Sequence, residues 1–129
     1  MPRVLVVDGS RLMAWLVQTL ASDDVEVVQA GRLADAHALL VDDPPDAAIF
    51  NLTPWDLEWS RLIDLCHDHA PPIPFVLCST LDDELPAGLQ LSRPPVAVIK
   101  KPARISELRA AVFDLLRAAE RSDLGQTSD

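Results

Sequence analysis

Lysine and arginine are scarce in this chain: 11 residues against 20 aspartates and glutamates, a formal net charge of -9 over 129 residues. Too few bases remain to build a continuous basic stripe, which argues against direct nucleic-acid binding by this domain. The same charge disfavours docking on an anionic membrane surface, while leaving protein partners open. Long apolar runs are missing too. Nothing approaches the roughly 18 residues of a membrane span. The stretch after Met1-Pro2-Arg3 is only Val4 to Val7, too short for a signal-peptide core. A cytoplasmic location is expected. The two cysteines, Cys66 and Cys78, suit a reducing compartment and need not pair. With only four glycines there is no glycine-rich phosphate loop, and Gly9 alone makes no dinucleotide fingerprint. No Ser-His-Asp arrangement has a motif around it. The chain is not expected to be an enzyme.

What is present points to one globular domain. Hydrophobic residues make up 49% and charged residues 24%. A chain of this length suits a single core that buries about two-thirds of the extended-chain surface. The domain is expected over residues 1–120, with 121–129 lacking periodicity and reading as a flexible tail or the start of a linker.

Five short apolar runs, Val4–Val7, Val25–Val28, Ala47–Phe50, Phe75–Cys78 and Val96–Ile99, read as strands. Helical spacing follows most of them. Leu12, Trp15, Leu16, Thr19 and Leu20 fall on one face of a first helix, which Ser10 is placed to cap, and Trp15 is expected in the core. Leu33, Ala36 and Leu40 mark a second helix that must stop before Pro44-Pro45. A third runs from Glu58 to about His69, with Trp59, Leu62, Ile63 and Cys66 inward. Residues 81–95 are irregular, with Pro86 and Gly88 interrupting a short fourth helix. The last helix is strong, with Ile105, Leu108, Val112, Leu115 and Leu116 sharing a face.

Regular alternation of strand and helix predicts an α/β fold, a single doubly wound five-stranded parallel sheet with helices on both faces. In such folds, sites lie at the carboxyl ends of the strands. The polar residues found there are Asp8, Asn51, Ser79 and Lys101.

These stretches, with Asp8-Gly9-Ser10 after the first strand, Asn51-Leu52-Thr53-Pro54 at the third, Ser79-Thr80 at the fourth and Lys101-Pro102 after the fifth, resemble the receiver domains of bacterial two-component response regulators. The resemblance covers roughly residues 3–120. It implies the flavodoxin-like strand order 2-1-3-4-5. It also implies that Asp8, Gly9, Asn51, Ser79 and Lys101 occupy phosphorylation-site positions. Ser79 and Lys101 match the family's hydroxyl and lysine. Two positions depart. The second of the paired acids that help hold Mg2+ is Gly9, and the phosphoacceptor aspartate is Asn51. The aromatic residue common in the fifth strand is replaced by Val98, and the aspartate-glycine pair after the acceptor by Asp56-Leu57.

A carboxylate can attack phosphorus to give an acyl phosphate, whereas a carboxamide is no nucleophile at neutral pH. Mg2+ prefers oxygen ligands and usually rests on one or two carboxylates. With Gly9 and Asn51 in place, only Asp8 remains, so Mg2+ binding is expected to be weak or absent and no cofactor is expected. The chain therefore resembles a pseudo-receiver. Its expected function is a phosphorylation-independent regulatory module that binds a protein partner or an attached output domain. A homodimer through the outer face of the last helix is one form of this. A small-anion or small-ligand sensor using the strand-end pocket with Lys101 and Ser79, and a receiver with residual phosphotransfer, are the alternatives.

Three further groups have bland readings. Cys66, His67 and His69 are close in sequence, but no second cluster completes a zinc set, so they read as a buried thiol and a polar helix end. His37 reads as a solvent-facing helix residue. Trp55, in the loop after Asn51, either folds onto the sheet edge or anchors a partner.

Overall fold

The computed structural model describes residues 2–21, 25–52, 57–79, 95–100 and 104–127, by backbone alone at 52, 57–59, 79, 100 and 121–127. In chain order the elements are β1 (Arg3–Val7), α1 (Arg11–Ala21), β2 (Glu26–Ala30), α2 (Leu33–Asp42), β3 (Ala47–Leu52), α3 (Leu57–Asp68), β4 (Phe75–Ser79), β5 (Ala97–Lys100) and α4 (Ile105–Thr127). The strands form one parallel sheet in the order β2-β1-β3-β4-β5, the doubly wound arrangement that the alternation predicts. The expected short fourth helix falls on 81–95, almost all of it outside the described residues, so α4 is the helix read from sequence as the fifth.

Each central strand feeds two cores, because successive side chains point to opposite faces. Val4, Val6, Ala47, Ile49, Val76 and Cys78 pack with Val17 and Ala21 of α1 and with Leu108, Val112 and Leu115 of α4. Leu5, Val7, Ala48, Phe50 and Leu77 pack on the other side with Ala36 and Leu40 of α2 and with Leu62, Ile63 and Cys66 of α3. The Phe50 and Phe75 rings meet in this second core at a centroid distance of 5.9 Å and a tilt of 51°. The amino end of the sheet is tied by Arg3. Its guanidinium pairs with Asp43 at 2.8 Å and Glu26 at 3.7 Å, its backbone N–H donates to Asp46 Oδ2 at 2.7 Å, and its carbonyl accepts from the Asp46 N–H at 2.9 Å.

Several helical expectations need correction. Trp15 and Leu12 are not core residues: each is 62% exposed. The apolar positions of α1 cover a wider arc than the sheet can bury, and the sheet takes the Met13, Leu16, Val17, Leu20 and Ala21 side. Thr19 is exposed as well, its hydroxyl donating to the Trp15 carbonyl at 2.8 Å. Ile105 likewise lies outside the core, because it opens α4 before the helix meets the sheet, whereas Leu108, Ala111, Val112, Leu115 and Ala119 are buried. β2 is displaced one to two residues toward the carboxyl end from its expected position, and β3 extends through Asn51 to Leu52. α4 continues past residue 120 to Thr127. Trp55 and the side chain of Trp59 lie outside the described residues. His37 is exposed, as expected. His67 is half-buried, its ring 5.5 Å from that of Phe75, and the Nδ1–H of His69 donates to the Pro71 carbonyl at 2.8 Å. No helix among the described residues is long and apolar enough to cross a membrane.

Burial pushes the Cys66 thiol up from 9.0 to about 12. Between those values the folded chain keeps a proton that the unfolded chain releases, so stability is complete below the lower value and declines as pH rises toward the upper one. The chain has no tyrosine to titrate in this range. Urea unfolding followed over the alkaline range should show stability falling by about 1.4 kcal/mol per pH unit from this group. Cys66→Ala should flatten that slope while lowering stability overall. An unchanged slope in the variant would contradict the assignment.

Candidate functional site

The carboxyl ends of the strands are where apolar side chains give way to polar ones. β1 and β3 run in register to Val7 opposite Phe50, so the next positions, Asp8 and Asn51, follow side by side on neighbouring chains. Asn51 pairs with Cys78 across β4, while Ser79 pairs with Leu52 on one side and Lys100 on the other. Three expected site positions, Asp8, Asn51 and Ser79, therefore collect at one end of the sheet, with Ser79 one step further along. Lys101 lies outside the described residues.

The turn after β1 is closed by hydrogen bonds of its own. The Asp8 carboxylate accepts the Ser10 N–H through Oδ1 at 3.0 Å, and the Ser10 hydroxyl accepts the Leu12 N–H at 3.2 Å. Ser10 thus caps α1, as its position predicts, meeting one of the orphan donors of the first turn. The Asp8 N–H donates to the Ala30 carbonyl at 3.1 Å. The side chain of Gln29 completes the closure, its Nε2 donating to the Asp8 carbonyl at 2.8 Å and reaching the Ser10 carbonyl at 3.4 Å. Sequence reasoning missed Gln29. Its signal was there: a lone amide in an otherwise apolar run at the end of β2, level with Val6 of β1.

Gly9 has an informative neighbourhood. A Cβ built there meets nothing within 4 Å, and its φ lies outside the left-handed region. The backbone does not demand glycine at this position, and a carboxylate-bearing side chain would fit. Asn51 is half-buried and alternates with Phe50, which points into the α2/α3 core, so it lies on the side of the sheet that α1 and α4 cover.

Among the described residues, no three histidines, cysteines or acids come together in a way that could hold a metal ion. That includes the Cys66, His67 and His69 group. Among the described strand-end residues, Asp8 carries the one carboxylate, and one of its oxygens already holds the turn.

No known family model matches the sequence, and no curated protein does. Solved structures do. A CheY-like response-regulator receiver domain from Methanospirillum hungatei superposes with a TM-score of 0.75 at 20% identity, covering 94% of this chain and 98% of that one. A response regulator from Thermotoga maritima gives 0.72 at 23% identity over 91% and 98%. A Francisella response-regulator receiver domain gives 0.68 at 20% identity over 95% and 99%. The chain has the receiver-domain fold. At these identities the likeness is one of architecture.

If the Asp8 carboxylate is a turn-forming acceptor, its shape matters more than its charge. Asp8→Asn keeps an oxygen at the Oδ1 position and should leave stability nearly unchanged. Asp8→Ala removes the acceptor and should cost about 1 kcal/mol in chemical denaturation. Equal losses in the two variants would contradict this role.

Proposed function

We propose that this receiver-fold chain is a non-enzymatic signalling module that acts by protein–protein interaction and does not run a phosphorylation cycle. The observation that carries the reading is the residue at the end of β3. Asn51 stands beside Asp8, where the resemblance places the phosphoacceptor, and a carboxamide cannot form the acyl phosphate. Gly9 supports the same reading, since a Cβ at this position would meet no atom within 4 Å and crowding does not impose the glycine. Weak or absent Mg2+ binding is part of this proposal, because the donor set retains one carboxylate where phosphoryl transfer needs a clamped cation. Ser79 and Asp8 then persist as strand-end structure.

The partner in this reading is a protein or an attached output domain, met through the outer face of α4. Ile105 and Phe113 are large apolar residues exposed on that helix. The chain's acidity is consistent with a cytoplasmic protein partner and offers little to a nucleic acid or an anionic membrane.

Incubation with acetyl phosphate and Mg2+, followed by intact-protein mass spectrometry, tests the phosphorylation-independent reading. The mass should stay unchanged, since phosphorylation adds about 80 Da. A stoichiometric, Mg2+-dependent gain of that size in the native chain would overturn the reading in favour of residual phosphotransfer. The double variant Gly9→Asp, Asn51→Asp supplies the comparison, as the open space at residue 9 admits the new side chain.

A further inference from the structure

The turn between β1 and α1 holds a reactive pair. Asp8 is the one aspartate of the chain that precedes a glycine. In such a pair the main-chain nitrogen of the glycine and the side-chain carboxyl carbon of the aspartate are spaced to close a five-membered ring. A side chain on the following residue crowds that nitrogen, whereas glycine lets another group approach it closely. Gly9 and Ser10 are exposed, so water reaches the turn.

The hydrogen bonds of the turn bear on both reacting groups. The Ser10 N–H donates to Asp8 Oδ1 at 3.0 Å, which folds the carboxyl group back along the Asp8–Gly9 peptide and keeps its carbon beside the Gly9 nitrogen. That donor also sits on an oxygen where negative charge develops when the nitrogen adds to the carboxyl carbon. Gln29 acts on the other partner. Its Nε2 donates to the Asp8 carbonyl oxygen at 2.8 Å, the oxygen that takes up charge as the Gly9 amide gives up its proton. Among the described residues the Gly9 N–H has no acceptor, so ring closure breaks no hydrogen bond at the nitrogen.

We propose that Asp8–Gly9 is a self-modification site, where the chain cyclises to a succinimide and reopens in part as isoaspartate, with the Ser10 N–H and the Gln29 amide assisting the closure. The Gly9 nitrogen forms a bond to Asp8 Cγ. One Cγ–O bond breaks, and its oxygen leaves as water with the amide proton and the carboxyl proton. Nothing is oxidised or reduced. Water then adds to either carbonyl of the ring. Opening at Cγ restores aspartate. Opening at the former main-chain carbonyl leaves the chain running through Cγ, with the carboxylate on Cα.

The product is a lasting change at the place where Gln29 ties β2 to the turn. The main chain gains a methylene between β1 and α1. The Ser10 N–H loses its acceptor, and the Asp8 carbonyl held by Gln29 becomes a carboxylate. Isoaspartate at residue 8 neither needs nor excludes a protein partner or phosphoryl transfer, so the signalling reading stands or falls by its own test.

Prolonged incubation of the full chain near neutral pH, followed by peptide mapping with electron-transfer fragmentation, tests the proposal, because the fragments distinguish aspartate from isoaspartate at a given position. Isoaspartate should accumulate at residue 8 in the folded chain. Asp8→Asn should form the same ring faster, with ammonia leaving in place of water. Gly9→Ala, which the open space at this position accommodates, should abolish the product. Gln29→Met should slow it, since the donor on the Asp8 carbonyl is gone. Circular dichroism should show these variants folded. In the isolated product, the NMR signals of the Ser10 and Leu12 amides and of the Gln29 side-chain amide should shift. A folded chain without isoaspartate at residue 8, whether or not it forms in urea, would overturn the proposal. A rate in Gln29→Met equal to or above that of the native chain would overturn the assistance assigned to Gln29.

Discussion

A parallel sheet covered on both faces leaves polar side chains almost nowhere to go except its ends. In this chain the constraint is nearly complete: Val4 to Val7 in β1, Ala47 to Phe50 in β3 and Phe75 to Cys78 in β4 are all buried, alternating between the two cores. The four helices among the described residues follow from that burial, as does the parallel order, since each strand must be re-entered by a crossover that covers a face. The concentration of chemistry at one edge follows as well. Asp8, Asn51 and Ser79 are polar because they stand where the buried runs stop.

That constraint also explains which features were legible in the sequence. Strand runs are short, apolar and continuous, and their alternation with helices was sufficient to predict the sheet and, through the resemblance, its order. The strand-end residues were legible for the same reason. Helix faces were less so. Leu12, Trp15 and Ile105 fit an apolar stripe by spacing, but spacing defines an arc without saying how much of it the sheet covers. On α1 the sheet takes the side centred on Val17, and the Leu12–Trp15 side is left in water. Gln29 was missed because a single amide at the end of an edge strand has no motif. Its role exists only once β2 lies beside β1 and its side chain reaches the Asp8 and Ser10 carbonyls. Trp55 and Lys101 fall outside the described residues.

The two ends of the sheet are held by different means. At the amino end, Arg3 gathers Asp43, Glu26 and Asp46 in partly exposed ion pairs and hydrogen bonds that are modest one by one. At the carboxyl end, the turn from β1 into α1 is closed by hydrogen bonds of Asp8, Ser10 and Gln29. An acid that in a metal-binding site would face a cation is here an acceptor for its own loop. A closed turn of this kind gives the Asp8 carboxylate a structural role of its own.

The account's central claim is that the strand-end region has lost its phosphoryl switch while the fold has been kept. A backbone amide NMR titration with Mg2+ and beryllofluoride, a mimic of the phosphoryl group, addresses it most directly. The account predicts that the resonances of Asp8, Gly9, Asn51, Ser79 and Lys101 stay in place up to millimolar ligand. Saturable shifts at those residues, carried into the signals of α4, would contradict it and show that anion binding still reaches the output surface.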